Sequence, residues 1–176
     1  AVDTAAFERS CLQQLKEMIL IHRNSPSIIA WSMCNEPFFT EGKTLGHVHA
    51  LLKKMVALSH QLDPTRPAGI GGCQRPTNDE RLDHIGDIAG YNGDGATIAE
   101  FQNPGIPSVV TEYGSTMDVR PGKYAAGWGD LERNDAWKGV TWRSGQSLWC
   151  AFDHGTLASG DFGRMGFVDY QRLPKR

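Results

Sequence analysis

Two stretches of this chain repeat apolar residues at three- and four-residue steps, the spacing that lines one face of a helix. In the first, Phe7, Cys11, Leu15, Met18 and Ile19 predict a helix over residues 7–22. Asp3 or Thr4 can cap its start. Asn24-Ser25-Pro26 ends it, because a residue before proline avoids helical angles. In the second, Leu45, Val48, Leu52, Met55, Ser59 and Leu62 predict a helix over 45–62, stopped by Asp63-Pro64. Elsewhere the pattern changes to short apolar runs. Runs at 28–33, 68–71, 87–91, 109–111 and 147–152 predict strands. The first of these has too little polar alternation for a half-exposed strand and fits a parallel strand buried on both faces. Further helices are predicted over 97–101 and 128–142, with a turn at Asn103-Pro104-Gly105.

Strands alternating with helices imply right-handed βαβ units, hence an α/β fold with a parallel sheet. No repeat or low-complexity linker interrupts the series. A nucleotide-binding version of such a sheet would carry a GxGxxG or P-loop after a strand; none is present, and residues 69–72 open no helix. The net charge of −2 leaves no basic footprint for nucleic acid. No run approaches the roughly 18 apolar residues of a membrane span, and the first residues lack the charged and apolar regions of a secretory signal. Cys11, Cys34, Cys73 and Cys150 show neither a CxxC pattern nor metal-ligand spacing, so they read as reduced thiols.

The chemistry rests on two carboxylates. Glu36 closes the run 27–36, and Glu112 closes 106–112. An acid where a buried strand meets its loop is poorly placed for packing and well placed for catalysis. Strands of a parallel sheet all end at one face, so both acids are expected to point into one pocket there. Such a pair is what glycoside hydrolysis requires.

The segment His22-Arg23-Asn24-Ser25-Pro26-Ser27-Ile28-Ile29-Ala30-Trp31-Ser32-Met33-Cys34-Asn35-Glu36 resembles the acid/base segment of glycoside hydrolase family 2. That family includes β-galactosidases, β-glucuronidases and β-mannosidases. Residues 107–114 resemble its nucleophile segment, and 147–155, with a tryptophan and a following aspartate, its eighth barrel strand. Residues 166–175 resemble the stretch that closes the barrel. The resemblance implies a partial TIM (β/α)8 barrel, parallel strands four to eight, carrying a retaining β-glycosidase site most like a β-galactosidase. In that pattern Glu36 is the general acid/base and Glu112 the nucleophile. Asn35 holds the sugar's 2-hydroxyl, and Trp149 forms an aromatic wall. Double displacement at such a pair needs no metal or organic cofactor, and the partner is a carbohydrate substrate.

Two departures accompany the likeness. Family members carry a tyrosine shortly after the asparagine that ends the sixth strand. Here Tyr91 precedes Asn92; Tyr91 is the candidate for that role, and Asn92 for a further substrate contact. Cys34 stands where the family often has glycine and reads as a packing residue. Arg75 and Arg120 lie in loops on the expected active face, whereas Asp153 and His154 read as a turn. At 176 residues the chain is too short for a whole barrel of about 250. Matching 27–36 to the fourth strand leaves the first three strands and the flanking sandwich domains outside it. The single domain over 1–176 is then expected to expose a barrel-interior face and to associate with itself or with a missing N-terminal half-barrel. Little or no activity is expected from it alone. The competing function is a non-catalytic carbohydrate-binding or scaffolding half-barrel.

Overall fold

The computed structural model describes residues 3–39, 42–117, 124–127, 129–133, 137–155 and 163–175. Helix α1 (Ala5–His22) begins at Thr4, not Asp3: Thr4 is extended and its hydroxyl accepts the Phe7 amide at 3.2 Å. Helix α2 (Leu45–Leu62) turns Val48, Leu51, Leu52, Met55, Val56 and Ser59 inward. Five strands follow the predicted order: β1 (Trp31–Asn35), β2 (Ala68–Gly71), β3 (Ile88–Asn92), β4 (Ser108–Tyr113) and β5 (Arg143–Leu148). They form one sheet in the order β1-β2-β3-β4-β5, and every neighbouring pair is parallel. A doubly wound sheet reverses its strand order part-way across, whereas this one steps in a single direction, as a barrel wall does. The architecture is a partial α/β barrel.

One apolar cluster runs behind the sheet. It joins Leu15 and Ile19 of α1, the α2 stripe, and the outward side chains Trp31, Met33, Ala68, Ile70, Tyr91, Val110 and Tyr113. Fully burying an aliphatic or aromatic side chain of this kind contributes about 1.5–3 kcal/mol. Below the sheet, Asp63 at the end of α2 gathers the Trp31 indole N–H at 3.0 Å and the Arg66 guanidinium at 2.7 Å. Arg66 also donates to the Ile28 and Ser25 carbonyls, tying the start of β1 to the end of α2. The Thr65 hydroxyl, Arg66 and Trp31 together hold the Asp63 carboxyl well below the usual carboxylate range.

Several expectations need correction. The run 28–33 is not buried on both faces: Trp31 and Met33 are buried, Ser32 is exposed, and Ile29 is 83% exposed. The sheet's concave side is open, a cleft of about 440 Å³ lined by Ser32, Gly69, Gly71, Val109, Thr111 and Gln146 among others. The helix expected at 97–101 is instead two 3-10 turns, Gly93–Thr97 and Ala99–Phe101, because Ile98 between them is extended. The helix expected over 128–142 does not form in the described part, where 131–133 and 137–139 are turns. Gly129 and Gly139 take φ of 88° and 76°, which a right-handed helix excludes; residues 128 and 134–136 lie outside the described residues. The last strand lies at Arg143–Leu148, not 147–152. Its place is set by pairing along β4, from Ser108↔Arg143 to Tyr113↔Leu148, and not by its own polar sequence.

Candidate active site

The C-terminal ends of β1, β3 and β4 bring the two acids together through one amide. Asn92, the last residue of β3, is fully buried. Its Nδ2 donates to Asn35 Oδ1 at 3.0 Å and to Glu36 Oε1 at 3.1 Å. The Thr111 hydroxyl donates to its Oδ1, and its own backbone N–H donates to Gln74 Oε1. Asn92 is also the register partner of Glu112 on β4, and the Asn92 and Asn35 amides both lie close to the Glu112 carboxylate. Burial first, and then the charge of Glu36, raise the Glu112 carboxyl above its ordinary value; the two amides pull the other way.

The backbone at this spot takes conformations that few sequences allow. Glu36 has φ of +49°, unusual outside glycine, and its N–H donates to the Gly71 carbonyl at 3.1 Å. Gly72 follows with φ of +57°. A Cβ there would stand 2.6 Å from Glu36 Cγ and 2.9 Å from both Glu36 N and Asn92 Nδ2. Gly72 therefore vacates the space that the acid and its amide occupy. Sequence reading passed over it, although a Gly71-Gly72 pair at a strand end is a signal that it could have used.

Two of the expected substrate contacts are corrected. Tyr91 is fully buried on the other side of the sheet. Its hydroxyl donates to Asp83 Oδ2 at 2.9 Å, its ring lies 5.2 Å from that of Phe101, and the Arg143 guanidinium covers it at 4.6 Å. Strand side chains alternate, so a neighbour of inward-facing Asn92 must face outward. Asn92 itself has no accessible surface for a sugar and acts as the bracket between the acids. Asn35 is exposed beside them, and Trp149 is half-buried just past β5, its N–H donating to the Tyr113 carbonyl at 3.0 Å. Cys34 is a half-buried thiol pushed up to about 12 by desolvation, which fits a packing role. Arg120 lies outside the described residues. Among the described residues no group of three or more His, Cys, Asp or Glu side chains could hold a metal ion.

The sequence profile described as "Glycosyl hydrolases family 2, TIM barrel domain" matches residues 1–142. The chain belongs to glycoside hydrolase family 2. Among its relatives, a β-glucuronidase of Bacteroides fragilis is 29% identical over 196 aligned positions, covering 96% of this chain and 27% of that protein. A β-galactosidase of Thermoanaerobacter pseudethanolicus is 31% identical over 180 positions, covering 93% of this chain and 22% of the relative. The crystal structure of Bacteroides uniformis β-glucuronidase superposes with a TM-score of 0.76 at 22% identity, over 98% of this chain and 25% of that one. The chain thus spans about a quarter of the length of the proteins it resembles.

In this family 2 chain the rim beyond β5 is fixed from behind. The Trp149 ring meets His154 edge-on at 4.9 Å, and the Cys150 thiol lies 3.2 Å from His154 Nε2. Asp153 is bound by Lys175 at 2.7 Å and by the Gly166 amide at 3.0 Å, with both charged side chains almost wholly buried. Phe152 also pairs with Val168. Asp153 therefore anchors the C-terminal segment beside Trp149, and the turn expected at Asp153 and His154 does not form.

Proposed function

We propose that this chain carries the catalytic pair of a retaining β-glycosidase, β-galactosidase-like in type. The observation that carries this reading is the convergence on Asn92: its amide donates to Glu36 at 3.1 Å, and it pairs in register with Glu112, whose carboxyl feels the Glu36 charge. Double displacement, with the carboxyl groups roughly 5–5.5 Å apart, is the course that the family resemblance implies; inversion would need roughly 6.5–9.5 Å to admit a water. Glu36 gives its proton to the glycosidic oxygen as that bond to the anomeric carbon breaks. Glu112 attacks the same carbon and forms a glycosyl ester. Glu36, now ionised, takes a proton from water, whose oxygen attacks the anomeric carbon and releases Glu112. Asn35 would hold the 2-hydroxyl and Trp149 would wall the sugar.

The raised proton affinity of Glu112 is compatible with this division. Part of it comes from the charge of Glu36, and that part vanishes when Glu36 holds the proton. The pair then carries one negative charge, which the reaction needs on Glu112. No metal or organic cofactor enters the cycle. The test is the product's stereochemistry. With a β-glycoside, proton NMR taken before mutarotation should show the β-anomer first; first appearance of the α-anomer would rule out the retaining reading.

The open concave face belongs to the same proposal. Ile29, Gly69, Ile88, Pro107 and Val109 line it, and such an apolar surface calls for a cover. The cover we propose is the first three strands of a barrel, with self-association replacing them when this chain is expressed alone. Light scattering on the isolated chain should show a dimer or larger species, and a clean monomer would count against it.

A further inference from the structure

At Glu36 the chain leaves β1 and turns at once. The Phe39 amide donates to the Glu36 carbonyl at 3.2 Å, folding Phe38 and Phe39 back beside the acid. The two rings stand 4.5 Å apart, and Phe39 is 73% exposed. The Arg75 guanidinium, from the loop after β2, lies 5.4 Å from the centre of the Phe38 ring. Beside it opens a mainly apolar cleft of about 400 Å³ lined by Phe38, Gly42, Leu45, Arg75, Pro76 and Thr77. Both loops follow the C-terminal ends of adjacent strands, so the cleft shares the mouth that holds Glu36.

From these contacts we infer that the Phe38–Phe39 turn and its cleft form a leaving-group subsite for a flat, apolar or aromatic aglycone. The inference rests on Glu36 as the acid of the proposed reaction. The acid must reach the glycosidic oxygen, so the leaving group lies on the Glu36 side while the sugar stays over Glu112. A second sugar would bring hydroxyls that need partners, and in this lining only Arg75 and Thr77 carry polar side chains. Phenylalanine has no polar handle of its own. A ring seated on Phe38, whose own ring stands 4.5 Å from that of exposed Phe39, removes apolar surface from water at no such cost.

The test uses the protein together with the rest of its barrel, as wild type and as Phe39→Ser. Two substrates are compared: a 4-methylumbelliferyl β-glycoside, galactoside or glucuronide as turnover dictates, and the matching β-glycosyl fluoride, whose leaving group is one atom. Phe39→Ser should lower kcat/KM for the umbelliferyl glycoside about tenfold. The fluoride should change by less than about twofold, and the thermal midpoint should hold, as for an exposed side chain. Equal losses on both substrates would mean that the turn merely positions Glu36, and no loss on either would mean that the rings meet nothing during turnover. A fallen midpoint would assign them to packing against another part of the barrel. Each of these overturns the subsite. Wild type that turns over neither substrate overturns the glycosidase reading instead, and the aglycone assignment falls with it.

Discussion

Replacing Glu112 with glutamine is expected to abolish hydrolysis while leaving the folded protein more stable at neutral pH. The loss in kcat should be on the order of 10⁴-fold or more, because the amide can neither attack the anomeric carbon nor leave as a carboxylate. Sugar binding should survive, since Asn35 and Trp149 are untouched. A half-barrel that only binds carbohydrate would show no turnover to lose, so the wild-type rate decides between the two readings. The stability effect follows from the proton. Burial and the Glu36 charge raise the Glu112 carboxyl in the folded state, so folding is favoured by this group below its unfolded value, roughly 4.3. That contribution is lost as pH rises through the folded value. At pH 7 the ionised carboxylate therefore opposes folding, and Glu112→Gln removes the opposition. The site is half open, so the gain after solvent screening is small. Thermal melts of both proteins at pH 7 and pH 3.5 check it: the variant's advantage should shrink towards zero at the lower pH. The same shift should place the acid limb of kcat/KM above the ordinary glutamate range. A variant less stable than wild type at pH 7 would show that hydrogen bonds to the carboxylate outweigh its desolvation.

Much of the fold was legible because local signals agreed. Over Leu45–Leu62 a stripe of apolar residues and the Asp63-Pro64 stop point to the same helix, and its bounds came out as read. Ala68–Gly71 was likewise found in place. β5 was misplaced because its residues, Arg143-Ser144-Gly145-Gln146-Ser147-Leu148, carry no apolar signal. What makes them a strand is an unfilled row of hydrogen-bonding groups on β4, and pairing between distant segments leaves no local trace. The site divides in the same way. That Glu36 and Glu112 would share a face followed from the parallel topology alone. That one buried asparagine would hold Glu36 and pair in register with Glu112 did not, since it depends on where Asn92 ends its strand. Tyr91 was read as a stand-in for the tyrosine that the resemblance implies, and strand parity rules it out. Its neighbour Asn92 faces the mouth, so the ring had to face the helices.

Gly72→Ala is expected to cost about 10²-fold in kcat/KM, the effect of moving a reacting group by about 1 Å. The added methyl carbon would fall 2.6 Å from Glu36 Cγ and 2.9 Å from the Glu36 backbone nitrogen. The first neighbour can swing, but the second cannot move unless the end of β1 moves with it. Asn92 Nδ2, 2.9 Å from the same point, is held by Asn35 and Glu36 and would be pushed out of its bracket. Gly72 also sits at φ of +57°, where any side chain adds about 1–2 kcal/mol of backbone strain. Gly105→Ala separates strain from displacement. Gly105 has φ of +80° and open space around its missing Cβ. Both variants should lose about 1–2 kcal/mol of stability in denaturant melts, but only Gly72→Ala should lose the hundredfold in rate. Equal rates in the two variants would mean that Glu36 tolerates a shift of this size, and the geometry around Asn92 would then not be what catalysis depends on.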